Sequence, residues 1–366
     1  MSFPWAFAPI EPFASGMLAV GDGQEIYWET SGNPQGKTAL YLHGGPGGGM
    51  GAGYRRHFDP DRYLIVGFEQ RGCGRSRPLA TGDPAALGRN TTHHLIADIE
   101  ALRTHLGVDK WLVNGVSWGT TLALAYAQAR PARVSELVLM ATTLTNPDAV
   151  EWITETVGRL FPREWDAFRA ASGARPGRRL VDAYYELLTD PDEEVRNRAV
   201  DAWMAWEDAH ISMGGAKHGL GDHDPVRRRV FATLVVHYWK HAAFLPPTAL
   251  TDAIPTLHHL PAVFIQGKLY VSGPAAVAWT LHKSWPRSQF ILIDDEAHGG
   301  PQMAQAMIQA LSTLAPPPIP FVEWHTTSWG ESGKTGAGWR SVVRLGGWMV
   351  MRVGWGVNGG RISRLC

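Results

Sequence analysis

The chain has 366 residues, and its 34 Lys and Arg balance 34 Asp and Glu to a formal net charge of zero. That length suits one large α/β domain with an insertion, or two domains. Charge neutrality argues against a nucleic-acid partner, no apolar run reaches the ~18 residues of a membrane span, and two cysteines (Cys73 and Cys366) give no disulfide framework.

The N-terminal stretch MSFPWAFAPIEPF has neither a basic region nor a continuous apolar run, so no signal peptide is expected there and the expected setting is cytoplasmic. Met17–Val20 and Glu25–Thr30 read as a hairpin around Gly21–Gly23. Ala39–Leu42 is a short buried strand. It runs into His43-Gly44-Gly45-Pro46-Gly47-Gly48-Gly49, too rich in glycine for a helix and without the Lys-Ser/Thr pair of a phosphate loop. Tyr63–Phe68 is the next strand, followed by the polar loop Glu69–Ser76. Asn90–Thr92 can cap a helix over His93–Leu106, where Leu95, Ile96, Ile99, Leu102 and Leu106 share a face.

Trp111–Val113 ends a buried strand, Gly115-Val116-Ser117-Trp118-Gly119 fits G-x-S-x-G, and from Thr120 to Arg130 the pattern is helical. Strand, tight turn and helix in that order make a nucleophile elbow, with Ser117 exposed at the strand end. A Ser/Gly turn between two core elements is the bland alternative. In hydrolases built this way, an HGG loop after an earlier strand supplies one oxyanion-hole N–H and the residue after the serine supplies the other. The candidates are Gly45 and Trp118. Taken without the elbow, the glycine loop would read as flexible surface.

Glu136–Ala141 is another strand, and the strand–helix alternation predicts a largely parallel sheet with helices on both faces. From about Asn146 to Pro247 strands give way to helical segments at Ala149–Leu160, Glu164–Ala171, Arg179–Leu188, Glu193–Ala209 and Val226–Ala243. That reads as a helical insertion between sheet strands, placed where a cap over the active site would sit. It holds Trp203-Met204-Ala205-Trp206-Glu207-Asp208, where the aromatics read as packing and the acids as solvated charge or a partly buried anchor for a cation. Pro261–Gln266 and Gln289–Asp294 restore strands around a helix at Val277–Trp285. A helix at Gln302–Leu314 follows the loop Asp295–Gly300. His298 lies in that loop, where the order Ser…acid…His puts the general base. His43, His93, His94, His237 and His282 all precede the last strand.

Together HGGPGGG, QRGCGRS, SWGTTLALAYAQARP, the AWEDA segment and AW-x-LHKSWP resemble the proline iminopeptidase (prolyl aminopeptidase) family of α/β-hydrolases, serine peptidase family S33, over roughly Phe13–Ala315. The resemblance implies an α/β-hydrolase core over 1–145 and 251–315 and a helical cap over 146–250. It implies a serine aminopeptidase that releases N-terminal proline from peptides through a prolyl-enzyme, with no metal or cofactor. Ser117 would be the nucleophile and His298 the base, and Glu207 would hold the substrate's ammonium group.

Three positions depart from the family. Tyr270, in Gly267-Lys268-Leu269-Tyr270, stands where the family has the Asp of the triad, and a phenol cannot stabilise an imidazolium as a carboxylate does. Asp148, Asp294 and Asp295 are substitutes to consider. Some members carry a second amine-binding Glu in the stretch Thr233–Trp239, where this chain has Val235 and Val236. Glu69 replaces an Asp before Gln-Arg-Gly. These departures keep two alternatives open: a weakened or inactive homologue that binds peptide N-termini, and an esterase of the same fold. Residues 316–366 are foreign to the family and read as an unstructured or atypical extension rich in Pro, Gly and Trp. Gly333-Lys334-Thr335 hints at a phosphate loop, but Ser328 stands where its first glycine belongs.

Overall fold

The computed structural model describes residues 6–211 and 224–317, and the backbone of 340–345 and 348–353. The segment Ser328–Thr335 and Cys366 lie outside the described residues. Strands β1 (Ala14–Ala19), β2 (Glu25–Gly32), β3 (Lys37–Leu42), β4 (Tyr63–Phe68), β5 (Trp111–Val116), β6 (Val134–Met140), β7 (Ala262–Gly267) and β8 (Ser288–Ile293) form one sheet in the order β1-β2-β4-β3-β5-β6-β7-β8. β1–β2 and β2–β4 are antiparallel, and the rest of the sheet is parallel from β4 to β8. The alternation of elements predicts this largely parallel sheet, and the order agrees with the α/β-hydrolase fold that the resemblance implies. β5 sits mid-sheet and is buried on both faces up to Gly115, which is why Trp111, Leu112 and Val113 read as an unbroken apolar run.

In the core, helices α1 (Pro84–Leu87), α2 (Thr92–His105) and α3 (Trp118–Ala129) precede β6. Thr91 caps α2, accepting from the His94 N–H. α3 begins at Trp118 rather than Thr120, because the elbow passes straight from Ser117 into the helix. Between β6 and β7 come α4 (Pro147–Glu151), α5 (Pro162–Ser172), α6 (Leu180–Leu188), α7 (Glu193–Ile211), α8 (Pro225–Lys240) and the short α9 (Ala249–Asp252). α10 (Ala275–Lys283) and α11 (Pro301–Leu314) flank β8.

The first cap segment is not one helix over Ala149–Leu160. α4 widens into a π-helical turn at Trp152–Thr156 and ends as a 3₁₀ turn, Val157–Arg159. Thr154 Oγ1 donates to the Val150 carbonyl at 2.9 Å, a local bond that competes with the regular ladder. The cap has its own apolar core, built on Phe168, Tyr184, Trp203, Trp206 and Val235.

α8 serves both cores. Val230, Leu234 and Tyr238, spaced i, i+4, i+8, face the sheet side, while Phe231, Val235 and Trp239 face the cap. Hydrogen bonds fasten α8 to the core at Asn90, whose side-chain oxygen accepts from Tyr238 Oη at 2.7 Å and whose carbonyl meets His237 Nε2 at 2.8 Å.

Residues 317–366 form a separate unit. In it β9 (Arg340–Leu345) and β10 (Trp348–Val353) pair antiparallel.

Candidate active site

Ser117 has φ 56° and ψ −124°, a strained left-handed turn for a residue with a Cβ, between the end of β5 and the first turn of α3. The elbow is possible because a Cβ at Gly115 would lie 2.4 Å from the Gly119 carbonyl oxygen, and one at Gly119 would lie 2.1 Å from that of Leu42. Threonines pin the helix start. Thr120 Oγ1 donates to the Ser117 carbonyl at 2.7 Å, and Thr121 Oγ1 donates to the Thr143 carbonyl at 2.8 Å.

The glycine loop after β3 faces this turn. Gln70 holds the two together. Its side-chain oxygen accepts from Trp118 Nε1 at 2.9 Å, and its amide nitrogen donates to the His43 carbonyl at 3.0 Å. His43 is itself buried. Its Nδ1 donates to the Gly44 carbonyl at 2.9 Å, and its Nε2 accepts from the Gln70 N–H at 3.1 Å. Burial pushes its pKa down, so it stays neutral with both ring nitrogens engaged. Glu69 anchors the other side of the loop. Its carboxylate accepts from the Met50 N–H at 3.1 Å and from Arg75 N and Nε at 2.6 and 2.8 Å.

His298 lies in the loop after β8. That loop is clamped by Glu296, whose carboxylate accepts from the N–H groups of Gln302 and Met303, each at 2.7 Å, at the start of α11. The Tyr270 ring packs against the His298 ring at 4.9 Å between centroids. Burial drives the Tyr270 phenol far above its ordinary value, with the Ser117 side chain pulling the other way through a hydrogen bond. None of the carboxylates considered as substitute acids lines the cavity at Ser117. Asp294 pairs with Lys268 at 2.9 Å, Asp295 accepts from the Gln302 side chain at 2.7 Å, and Asp148 lines a neighbouring apolar cavity.

Glu207 enters from α7. It is 3 % exposed, and Oε1 accepts from Trp203 Nε1 at 3.2 Å. Burial raises its carboxyl to about 8; the Trp203 bond opposes this and the Asp208 charge adds to it. Ser117, Trp118, Gly45, Tyr270, Glu207 and His298 all line one cavity of about 210 Å³, walled by Ile153, Phe231 and Trp239. Its volume suits one small residue rather than a drug-sized ligand.

Among the lining residues that escaped the sequence reading are His210 and Ser272. His210 was legible in principle, since it lies at i+3 from Glu207 on the same helix face. Val235 is fully buried in the cap core, and His237 is committed to Asn90. No cluster of residues suited to a metal ion occurs among the described residues, and no helix there is long and apolar enough to cross a membrane.

A strained serine at the strand–helix turn, a facing glycine loop and a histidine after the last strand are the arrangement of an α/β-hydrolase, and a family model for the alpha/beta hydrolase fold matches residues 39–300. A probable proline iminopeptidase from Streptomyces coelicolor is 42 % identical over 317 residues, covering 84 % of this chain and 97 % of that protein. The proline iminopeptidase of Neisseria gonorrhoeae is 39 % identical, with 84 % and 97 % covered. That of Arabidopsis thaliana is 39 % identical, with 80 % and 77 % covered. The chain belongs to the proline iminopeptidase family of α/β-hydrolases. Among solved structures, a proline iminopeptidase-related protein from Thermus thermophilus shares the fold at a TM-score of 0.55 and 21 % identity, with 83 % of this chain and 98 % of that one covered.

Proposed function

We propose that this protein is a serine aminopeptidase that removes N-terminal proline from peptides. The observation that carries the reading is the buried Glu207 carboxyl, which shares a cavity the size of one residue with Ser117. A substrate with a free N-terminus brings one positive charge to that cavity. A carboxylate excluded from water is its natural partner. The pyrrolidine ring then lies against apolar walls.

The chemistry is acyl transfer. The Ser117 Oγ–H gives its proton to His298 as the oxygen attacks the prolyl carbonyl carbon. The tetrahedral oxyanion is received by the N–H groups of Gly45 and Trp118. His298 returns the proton to the leaving amine, and the C–N bond breaks. Water, deprotonated by His298, then hydrolyses the prolyl ester and restores Ser117. A cytoplasmic setting belongs to this reading, supported by the buried free thiol of Cys73.

Tyr270 favours a second reading, in which turnover is weak and peptide N-termini are bound more than cleaved. Hydrolysis of proline p-nitroanilide, set beside N-acetylproline p-nitroanilide and a short-chain p-nitrophenyl ester, tests both. Cleavage of the free-amine anilide alone, lost in Ser117→Ala, supports the first. Binding of prolinamide without cleavage supports the second, and ester cleavage alone overturns both.

A further inference from the structure

We propose that Glu207, His210 and Ser272 form a single amine-recognition unit, in which the Ser272 hydroxyl is the second acceptor for the substrate's ammonium group. The inference rests on the aminopeptidase reading. His210 Nδ1 and Ser272 Oγ are 2.6 Å apart, and His210 Nε2 is 3.7 Å from Glu207 Oε2. All three side chains are nearly inaccessible (Glu207 3 %, His210 1 %, Ser272 3 % exposed), and all line the cavity that holds Ser117. Glu207 and His210 come from α7 in the cap, whereas Ser272 comes from the loop after β7 in the core. The unit therefore joins the two parts of the molecule across the site.

Charge sets its polarity once the amine is bound. Glu207 is then an anion, and the tautomer that turns an Nε2–H toward it across 3.7 Å is the favoured one for His210. A neutral imidazole then has an acceptor at Nδ1, and the Ser272 O–H donates to it. This leaves the lone pairs of the Ser272 oxygen for a donor in the cavity. The ammonium group of an N-terminal proline carries two N–H donors. One goes to the Glu207 carboxylate, and the other needs a second acceptor. The cap stretch around Val235 offers no carboxylate, since Val235 lies fully within the apolar core. A neutral hydroxyl in that role keeps the count at one anion for one cation, which suits a dry cavity.

The test is calorimetric binding of L-prolinamide to the full-length Ser117→Ala protein, with N-acetylprolinamide as the ligand that lacks the charge. Adding Ser272→Ala is expected to weaken prolinamide by about tenfold to a hundredfold, the range for a hydrogen bond to a charged group. Ser272→Thr, which keeps the hydroxyl, stays within about threefold. N-acetylprolinamide binds all variants alike. On the active background, His210→Gln raises KM for proline p-nitroanilide with kcat within about twofold. Unchanged prolinamide affinity in Ser272→Ala overturns the inference, as does equal loss for both ligands. If Ser272→Ala does not fold, an unchanged KM in His210→Gln overturns it instead. Prolinamide binding to the parent separates the two claims: when the parent binds and the variants match it, only this inference fails, and when the parent does not bind, the aminopeptidase reading falls with it.

Discussion

The Tyr270 ring stands 4.9 Å from the imidazole of His298, at the sequence position where the family resemblance leads one to expect the triad acid. Its phenol is held neutral by burial, so it offers no charge to offset a protonated imidazole. Loss of the acid costs on the order of 10⁴ in turnover in a serine triad. Tyr270→Asp is therefore expected to raise kcat on proline p-nitroanilide by several hundredfold or more. A steady-state comparison with the parent decides it, and an unaltered kcat would remove position 270 from the catalytic account.

Glu207 predicts a pH dependence of binding. Only the ionised carboxyl attracts an ammonium group, and its pKa lies at about 8 in the folded protein. KM for proline substrates should fall as pH rises from 6 toward 8. It should climb again as the substrate amine, with an α-amino pKa of roughly 8, loses its charge. A KM that is flat over that window would contradict amine binding by this carboxyl.

The same group predicts a stability effect of opposite sense. In the unfolded chain the carboxyl titrates near 4.5, and in the folded protein near 8. Between these values the folded state holds the extra proton. Its stabilising contribution is full at pH below 4.5 and is lost as pH rises through 8. Each unit of separation is worth about 1.36 kcal/mol, so the loss amounts to several kcal/mol, on the order of 5. Glu207→Gln, which keeps an acceptor for Trp203, should melt at the same temperature as the parent near pH 5 and higher than it at pH 9. Its KM should rise about tenfold or more. Thermal scans at both pH values check the first claim, and a parent that melts no lower at pH 9 than the variant would refute it.

Gln70 ties Trp118 to His43, so it sets the spacing between the two segments proposed to supply the oxyanion donors. One such donor is worth about 10²–10³ in kcat when removed outright. Gln70→Ala, which misplaces rather than deletes them, should lower kcat by about tenfold to a hundredfold and leave KM near its parent value. A change confined to KM would assign Gln70 to substrate binding instead.

Asn90 predicts how the cap is held. Its side chain accepts from Tyr238 and also donates to the Arg71 carbonyl at 3.0 Å. Asn90→Ala leaves buried partners unsatisfied and should cost about 2–4 kcal/mol. Urea denaturation followed by tryptophan fluorescence measures this, and a midpoint equal to the parent's would place the cap's attachment elsewhere.

Much of this site is legible in the sequence because it rests on local geometry. G-x-S-x-G at Gly115–Gly119 carries its own steric reason, and His298 is marked by falling after the last strand. The helix starts at Thr91 and Pro301 are written in capping residues and proline. What stays hidden depends on contacts between distant elements. Nothing near Ser272 in the chain announces that its hydroxyl meets His210, because α7 and the β7 loop meet only on folding. The break in the first cap helix at Trp152 is likewise invisible to periodicity, since the competing bond from Thr154 leaves the apolar spacing intact.

The two apolar cores described above carry a consequence for descent. Ser117 follows β5 and His298 follows β8, whereas Glu207 sits on α7 beside Trp203, Met204 and Trp206 of the cap's interior. Mutations that remodel the cap can alter which substrates are admitted while the bond-breaking apparatus stays as it was. Selection can therefore tune selectivity and reactivity on separate schedules, with α8, whose residues enter both interiors, as the stretch where a change is felt by the two at once.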